Sequence, residues 1–505
     1  MLQRPGRLVE PFSGRSWTPD EVLGRIRCRA VALAHLGLQP GDRAFLHYGN
    51  NLEFFVDLLA VWHLGGCAVP VDPRLTRFEV ATLTRSARPR LSIWAESPQA
   101  ELARELAELG ARVVPLPDRG SATDEAALPP SNLRLDDDAL ILFTSGTTGN
   151  PKGVVHTHRS LRARWASLSG ALGLAAFQRT LCLLPTHFGH GLICNCLFPW
   201  LAGQDLHVLP PFRADLLVQL GELVDRHAIT FLSSVPTVWR LALKTSRPPS
   251  SGSLVRVHCG SAPLSASLWR SVQDWTGTRD VKNAYGITET GSWLAGTPDD
   301  FDGPEDGLIG RAWGGELRVM PGADPRRSPA WTPACAPGES GHVWIQTPAL
   351  MKGYLDRDDL TREVVVDGWF STGDIGVVDE RGNLFLRGRE REEINKAGMK
   401  VYPGDVDAVV ERFPRTLDVC TFAYADPLLG EDVGVAVVLP GATDESLLAL
   451  HAWASEHLAA HQLPRRWYLV DEIPRTSRGK VNRANVAAHC EKAKPVNFAE
   501  LRRRG

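Results

Sequence analysis

Short apolar segments alternate with helix-forming segments along the first seventy residues, and this alternation restricts the fold more than any other feature of the sequence. Residues 20–36 have helical periodicity and residues 43–47 form a short apolar strand; residues 51–64 and 67–71 then repeat the helix and the strand. Strands that alternate with helices are typical of a parallel sheet covered on both faces. The sequence therefore predicts an α/β fold.

The pattern changes after residue 388. Residues 406–413 and 446–458 are predicted helices, and residues 433–439 and 467–470 are predicted strands, which together indicate a small α+β unit. A chain of 505 residues is also too long for one simple core. We expect a large N-terminal domain of α/β sheet subdomains, residues 1–388, and a small C-terminal α+β lid domain, residues 389–505.

Charge and composition indicate a small-molecule partner. The 56 basic and 58 acidic residues give a net charge of −2, which does not favour nucleic acid or an anionic membrane as a partner. No segment approaches the ~20 apolar residues of a membrane span, and the first ten residues lack the apolar run of a signal peptide. Nine cysteines without a CxxC pair are typical of buried free thiols in a reducing compartment. We expect a cytoplasmic protein.

The segment TSGTTGNPKG, residues 144–153, follows an apolar strand at 139–143 and predicts a phosphate-binding loop. Glycines allow consecutive N–H groups to point into one concavity, hydroxyls add donors and a lysine adds charge. A Walker A loop fits less well, because Pro151 precedes Lys152, Gly153 follows it, and the next two valines favour a strand over a helix. The candidate phosphate-binding residues are Thr144, Ser145, Gly146, Thr147, Thr148, Gly149 and Lys152.

This loop resembles the signature of the acyl-adenylate-forming superfamily, which includes acyl- and aryl-CoA synthetases, peptide-synthetase adenylation domains and firefly-type luciferases. The resemblance covers roughly residues 20–485, and further motifs follow in the family's order. NAYGITE at 283–289 resembles the YGxTE motif, in which Tyr285 would stack on adenine, Thr288 would bond the α-phosphate and Glu289 would hold Mg²⁺. With GSAPL at 260–264, the resemblance implies a nucleotide site that includes Gly260, Ser261, Ala262, Asn283, Ala284, Tyr285 and Gly286.

Three later motifs complete the resemblance. WFSTGD at 369–374 implies that Asp374 accepts hydrogen bonds from the ribose hydroxyls, and Arg389 is the family's second ribose contact. Arg391 occupies the hinge position, where relatives often have Asp or Lys. The C-terminal segment IPRTSRGK, which ends at Lys480, resembles the P-x-T-x-x-G-K motif and implies that Lys480 is the catalytic lysine.

The segment PTHFGHGL, residues 185–192, matches the family's acyl-pocket motif imperfectly. Phe188 stands where many relatives have His, and His187 comes one residue earlier. A histidine in such a place is more often a packed core residue than a catalyst. The resemblance implies an acyl pocket lined by His187, Phe188, Ser234, Gly260 and Gly286, and this mix of aromatic, histidine and small residues favours an aryl or medium-sized acid over a very long chain.

The resemblance implies an ATP-dependent ligase that forms an acyl-adenylate from a carboxylic acid, with Mg²⁺, and passes the acyl group to a thiol. Only 25 residues follow Lys480, too few for a carrier domain, so the acceptor would be CoA, a separate carrier protein or an amine. Two alternatives stay open at this point. The chain could be a stand-alone biosynthetic enzyme that uses an amine or carrier acceptor or activates a non-carboxylate group, or it could be a nucleotide-binding regulator without catalysis.

Overall fold

The computed structural model describes residues 4–116, 128–131, 133–144, 151–210, 214–322, 328–397, 399–475 and 481–504. The strands are β1 (Leu8–Glu10), β2 (Arg15–Trp17), β3 (Arg43–His47), β4 (Cys67–Pro70), β5 (Leu91–Trp94), β6 (Arg112–Pro115), β7 (Asp138–Thr144), β8 (Lys152–Thr157), β9 (Arg179–Cys182), β10 (Asp205–Val208), β11 (Phe231–Ser234), β12 (Arg256–Gly260), β13 (Val281–Ile287), β14 (Ser292–Gly296), β15 (Leu308–Ala312), β16 (Glu316–Met320), β17 (Ser340–Gln346), β18 (Gly353–Tyr354), β19 (Val365–Val366), β20 (Trp369–Val378), β21 (Leu384–Arg389), β22 (Ile394–Lys396), β23 (Met399–Val401), β24 (Asp418–Asp426), β25 (Gly430–Val438) and β26 (Arg466–Leu469).

The helices cover the faces of these sheets. They are α1 (Pro19–His35), α2 (Leu52–His63), α3 (Arg77–Ala87), α4 (Ala100–Glu108), α5 (His158–Leu172), α6 (Phe198–Leu201), α7 (Ala214–Leu217), α8 (Leu220–Arg226), α9 (Pro236–Thr245), α10 (Ala266–Thr276), α11 (Asp358–Val364), α12 (Pro403–Glu411), α13 (Asp444–His457), α14 (Arg483–Cys490) and α15 (Phe498–Arg504). Within the described ranges, none of them combines the length and the apolar character needed to cross a bilayer.

Three sheets organise the molecule. The first has seven strands in the order β18-β8-β7-β4-β3-β5-β6, and its strands from β7 to β6 are parallel. The second has fourteen strands; β9 to β13 run parallel in its middle, and antiparallel strands continue from β14. The third has five strands and contains β22 to β26. The expected α/β fold with a smaller C-terminal α+β domain is confirmed.

Local sequence signals explain where the first helices begin. Thr18 and Glu21 form a reciprocal capping box at the start of α1, and the Asn51 side chain accepts a hydrogen bond from the Phe54 amide at the start of α2. Such caps satisfy backbone donors that the first turn leaves unpaired. The expected helix at 20–36 is therefore observed one residue earlier, as Pro19–His35.

Helix α2 lies between the two large sheets and is buried along nearly its whole length. The core cluster that contains it includes Leu46 and Leu142 from the first sheet and Phe231 and Trp293 from the second. Burying apolar surface against both sheets at once fixes their relative position. The free cysteines fit the same picture, because seven of the nine are buried.

One charged residue interrupts the apolar surface of α2. Asp57 is buried and paired with Arg29 of α1, with Nε and Oδ1 at 2.5 Å and Nη2 and Oδ2 at 3.1 Å. The Tyr48 hydroxyl also donates a hydrogen bond to Asp57. Removing one member of a buried pair leaves the other charge uncompensated, and this usually costs about 3–5 kcal/mol.

We therefore expect Asp57→Leu to lower the free energy of unfolding of the large domain by about 3–5 kcal/mol in urea titrations. The double variant R29M/D57L removes both charges and should recover most of this loss, because no unpaired charge remains. A double variant as unstable as Asp57→Leu alone would contradict this explanation.

Strand β21 connects the second sheet to the third. This strand still pairs with β20 of the second sheet up to Arg389, and the third sheet begins at Ile394 after a 3₁₀ turn at Glu390–Glu392. Further contacts come from α9 of the large domain. Arg240 Nη2 lies 2.5 Å from Glu411 Oε1 of α12, and the Thr237 hydroxyl lies 3.3 Å from Arg475 Nη1, whose guanidinium also binds Asp418 of β24.

Candidate active site

The candidate site lies at the carboxyl ends of the parallel strands in the second sheet. Ser234 ends β11 and Gly260 ends β12, next to Ala284 of β13. Ligands of open α/β sheets bind at this edge. Glycine is required here, because a Cβ on Gly260 would lie 2.0 Å from the Ala284 carbonyl oxygen, and one on Gly286 would lie 2.1 Å from that of Ser292.

The predicted phosphate loop connects two paired strands. Thr144 ends β7, Lys152 begins β8, and the two residues are antiparallel partners. Ser145, Gly146, Thr147, Thr148 and Gly149 lie outside the described residues. The expected strand after Lys152 is confirmed, whereas a Walker A loop leads into a helix.

Tyr354, which no sequence motif predicted, contacts both Glu289 and Lys152. The Tyr354 hydroxyl donates to Glu289 Oε1 at 2.8 Å, and Lys152 Nζ lies 5.1 Å from the centroid of the Tyr354 ring, within cation–π range. Burial and the neighbouring Glu289 carboxylate raise the pKa of Tyr354, so its hydroxyl stays protonated and donates.

The donor set around Glu289 fits Mg²⁺. Among the described residues, no group of three or more His, Cys, Asp or Glu side chains could hold a metal ion. Mg²⁺ commonly binds one or two carboxylates together with substrate phosphates and water. Glu289 would supply the carboxylate next to Lys152 and the phosphate loop, with phosphate oxygens completing the set.

A second cluster joins the YGxTE-like motif to the ribose candidates. The Tyr285 hydroxyl donates to Asp374 Oδ2, and Arg389 Nε lies 3.0 Å from Asp374 Oδ1. The Asp374 carboxylate raises the pKa of Arg389 against the opposing effect of burial. Tyr285 and Asp374 are both buried. Protein donors therefore contact both oxygens of the carboxylate that is predicted to bind ribose.

We expect Tyr285→Phe to raise the KM for ATP about tenfold. A hydrogen bond to a charged group contributes about 1.5–3 kcal/mol, and each 1.4 kcal/mol is tenfold in affinity. Pyrophosphate release measured against ATP concentration tests this. Tyr468→Phe, at a buried tyrosine in the small-domain core, is the matched control and should leave this KM unchanged.

The histidines of the 185–192 segment occupy different environments. His187 Nε2 lies 3.3 Å from Asp72 Oδ2. Although burial raises the pKa of Asp72, the neighbouring His187 and the hydrogen bonds from Arg74 lower it overall. Phe188 is partly buried and packs against a hydrophobic core cluster of the second sheet. The nearby Ser234 is buried at the end of β11.

His190, rather than His187, contacts the predicted adenine segment. Its Nδ1 lies 2.9 Å from Ser261 Oγ, and its Nε2 lies 2.6 Å from Ser233 Oγ. His190 was not among the residues predicted from the sequence, although it belongs to the same segment. The available signal was the Gly-His-Gly run at 189–191, because a glycine is required beside His190: a Cβ on Gly191 would lie 2.5 Å from the Pro185 carbonyl oxygen.

The remaining candidates lie around the same edge or between the domains. Asn283 is buried, and its amide nitrogen donates to the Leu308 carbonyl at 2.7 Å. Ala262 is partly buried in the loop after β12. Arg391 lies in the 3₁₀ turn between β21 and β22, and its charge acts on Tyr354. Lys480 lies outside the described residues.

Comparison with known proteins gives the family. A family model described as AMP-binding enzyme matches residues 2–355, and one described as the AMP-binding enzyme C-terminal domain matches residues 405–480. This chain belongs to the AMP-binding enzyme family. The two matches leave residues 356–404 between them, and this interval includes the Tyr285 partner Asp374 as well as Arg389.

Relatives of this AMP-binding enzyme match it over nearly their whole length. A 2-succinylbenzoate–CoA ligase from Bacillus licheniformis is 30% identical over 486 residues, which cover 95% of this chain and 96% of the relative. The ATP-bound crystal structure of MatB from Rhodopseudomonas palustris has a TM-score of 0.86 at 27% identity, with 97% of each chain covered. The amide bond synthetase McbA from Marinactinospora thermotolerans has a TM-score of 0.82 at 25% identity, again with 97% of each covered.

Proposed function

We propose that this AMP-binding enzyme is an ATP-dependent acid–thiol ligase with CoA as its acceptor. The observation that carries the proposal is a pair of clusters joined by the 283–289 motif: Lys152 and Tyr354 lie at Glu289, while Asp374 and Arg389 lie at Tyr285. The first group suits a triphosphate and the second suits a ribose. The named CoA ligase relative supports the choice of a thiol acceptor.

The proposed first half-reaction joins the acid to AMP. A carboxylate oxygen of the acid attacks the α-phosphorus of ATP, the bond from this phosphorus to the β-phosphate oxygen breaks, and pyrophosphate leaves with the electron pair. Such a transfer requires alignment and charge neutralisation more than covalent help. Lys152 would bind the β- and γ-phosphates, Thr288 the α-phosphate, and Lys480 the region between carboxylate and phosphate.

Mg²⁺, held by Glu289 and phosphate oxygens, would supply charge neutralisation for the pyrophosphate that leaves. The protein's own contribution is to hold the Glu289 carboxylate in one place. Tyr354 does so through its hydrogen bond to Oε1. Ser261, His190 and Ser233 form a polar chain beside the predicted acyl pocket, which we assign to an aryl or medium-sized acid.

In the second half-reaction, the thiolate of CoA attacks the acyl carbon and AMP leaves. We propose a domain division at 388/389, with Arg391 as the hinge that lets the small domain withdraw Lys480 between the two steps. The free thiols, most of them buried, support a reducing, cytoplasmic location.

The test measures pyrophosphate release with aromatic, aliphatic and amino acids, followed by product analysis with CoA, a phosphopantetheinylated carrier protein or amines as acceptor. We expect acid-dependent pyrophosphate release and an acyl-CoA product. ATP binding without pyrophosphate release for any acid would instead support a nucleotide-binding regulator.

A second candidate is amide formation, in which an amine attacks the acyl-adenylate. The similarity of the whole chain to the amide bond synthetase McbA supports this second candidate. The adenylation half-reaction is the same, so only the acceptor separates the two. An amide product at an undiminished rate in the absence of CoA would replace our first proposal.

A further inference from the structure

The 3₁₀ turn that carries Thr288 and Glu289 is held by its backbone carbonyl groups. His156 Nε2 lies 2.7 Å from the Thr288 oxygen, and the Met351 amide donates to the Glu289 oxygen at 2.7 Å. Arg164 donates to the Thr290 oxygen from Nε at 3.1 Å and from Nη2 at 2.9 Å. Three different parts of the large domain therefore bind three successive carbonyls.

His156 is a donor at this contact. A carbonyl oxygen can only accept, so the proton must be on Nε2. Burial lowers the pKa of His156 to about 4, and the imidazole is therefore neutral at physiological pH. Its side chain is buried on β8 and faces the turn across the junction between the two large sheets.

Arg164 is an unusual residue to bury. Its guanidinium is fully buried, and within the described part of the chain its hydrogen-bond partners are neutral oxygens: the Thr290 carbonyl, the Trp313 carbonyl at 2.9 Å and the Thr347 hydroxyl at 3.3 Å. Burial lowers its pKa to about 10, so it keeps its charge at neutral pH. A buried charge is costly unless it is well hydrogen-bonded. Here those hydrogen bonds hold the turn.

Both residues belong to the segment that follows the phosphate loop. Lys152 begins β8, His156 lies further along the same strand, and Arg164 lies on α5, which follows directly. One continuous segment, residues 152–164, therefore connects the phosphate loop to the Glu289 turn. A displacement of the phosphate loop would therefore be transmitted to the Glu289 turn through the hydrogen bonds that His156 and Arg164 make to it.

We propose that His156 and Arg164 are positioning residues that fix the Thr288–Thr290 turn, so that the Glu289 carboxylate meets the metal-bound nucleotide in a single orientation. The proposal rests on the function proposed above. Charged groups that are held in place before the reaction need no reorganisation during it. A misplacement of about 1 Å can reduce a rate by about 10²-fold.

The decisive pair of variants is His156→Leu and His156→Gln. Leucine fills similar space without a donor, whereas the glutamine amide can still donate to the Thr288 carbonyl. We expect His156→Leu to raise the Mg²⁺ concentration for half-maximal pyrophosphate release about tenfold and to lower kcat by a similar factor. His156→Gln should restore most of both values.

Hydrogen–deuterium exchange supplies a readout that does not depend on catalysis. Arg164→Lys keeps the charge but cannot donate two hydrogen bonds to the Thr290 carbonyl. In this variant and in His156→Leu, the amides of residues 286–292 should exchange faster than in the wild type. Arg29→Met is the control for general destabilisation. It removes another buried arginine, on α1, and should leave the Mg²⁺ dependence unchanged, while any increase in exchange should be no larger at 286–292 than at other amides of the large domain.

A folded His156→Leu variant with wild-type Mg²⁺ dependence and wild-type exchange at 286–292 would overturn the proposal, and so would a His156→Gln variant no better than His156→Leu. If Arg164→Lys does not fold, the comparison of His156→Leu with His156→Gln still tests the proposal. Failure of the proposed function can be distinguished from failure of this inference. If the wild type releases no pyrophosphate, hydrogen–deuterium exchange and the Mg²⁺ dependence of ATP binding can still be compared between the wild type and the variants.

Discussion

Replacing Lys480 by alanine is expected to slow acyl-adenylate formation by about 10²–10³-fold, because removal of one positioned donor from a site of developing charge has effects of this size. The conversion of supplied acyl-adenylate to acyl-CoA should stay within about twofold of the wild-type rate. The reason is that the ammonium would act between carboxylate and α-phosphate, and this phosphate chemistry is complete once the adenylate exists.

The two half-reactions are measured separately, by pyrophosphate release and by acyl-CoA formation from synthetic acyl-adenylate. Lys492→Ala is the matched control, because Lys492 is another lysine of the C-terminal region, exposed in the structure, and should have no effect on either step. Equal losses in both half-reactions of Lys480→Ala would refute this division of roles.

Glu289→Gln is expected to reduce pyrophosphate release at least about 100-fold at millimolar Mg²⁺. The amide keeps the size of the side chain and can still accept from Tyr354, but it removes the negative charge that a hard cation requires. Part of the activity should return as Mg²⁺ is raised, since weaker binding is offset by mass action. The measurement is a Mg²⁺ titration at fixed ATP.

The Tyr354→Phe variant tests the orientation of the Glu289 carboxylate separately from its charge. It removes the hydrogen bond to Glu289 Oε1 and keeps the carboxylate. We expect a loss of about tenfold, which corresponds to one hydrogen bond to a charged group at the low end of its range of about 1.5–3 kcal/mol. A Tyr354→Phe loss as large as that of Glu289→Gln would mean that orientation, and not charge, is what the Glu289 variant removes.

The elements of the fold could be predicted because their signals are local. The predicted helix at 51–64 is observed as Leu52–His63, and the predicted strand at 43–47 is observed as Arg43–His47. Both depend on apolar spacing and on caps such as Asn51. In the small domain the predicted helix at 446–458 is observed as Asp444–His457, again preceded by a threonine cap. Interactions within a few residues determine these boundaries.

The contacts within the site could not be predicted, because strand order creates them. Tyr354 reaches Glu289 since β18 pairs with β8 at the edge of the first sheet, while Glu289 follows β13 of the second sheet. His190 and His187 are three residues apart in one segment, yet one faces Ser261 and the other Asp72. The residues at 145–150 and Lys480 lie outside the described ranges, so their roles stay predictions.

Helix α9 connects the proposed acyl pocket to the small domain. It begins at Pro236, directly after the Ser234 end of β11 in the proposed acyl pocket, and it carries Thr237 and Arg240, which contact the small domain. Thermodynamic coupling between two such sites is reciprocal. An acid that bound in this proposed pocket and favoured one arrangement of the domains would therefore bind more tightly in that arrangement, and substitutions far from the pocket, at Glu411 for example, would then alter which acids the enzyme prefers.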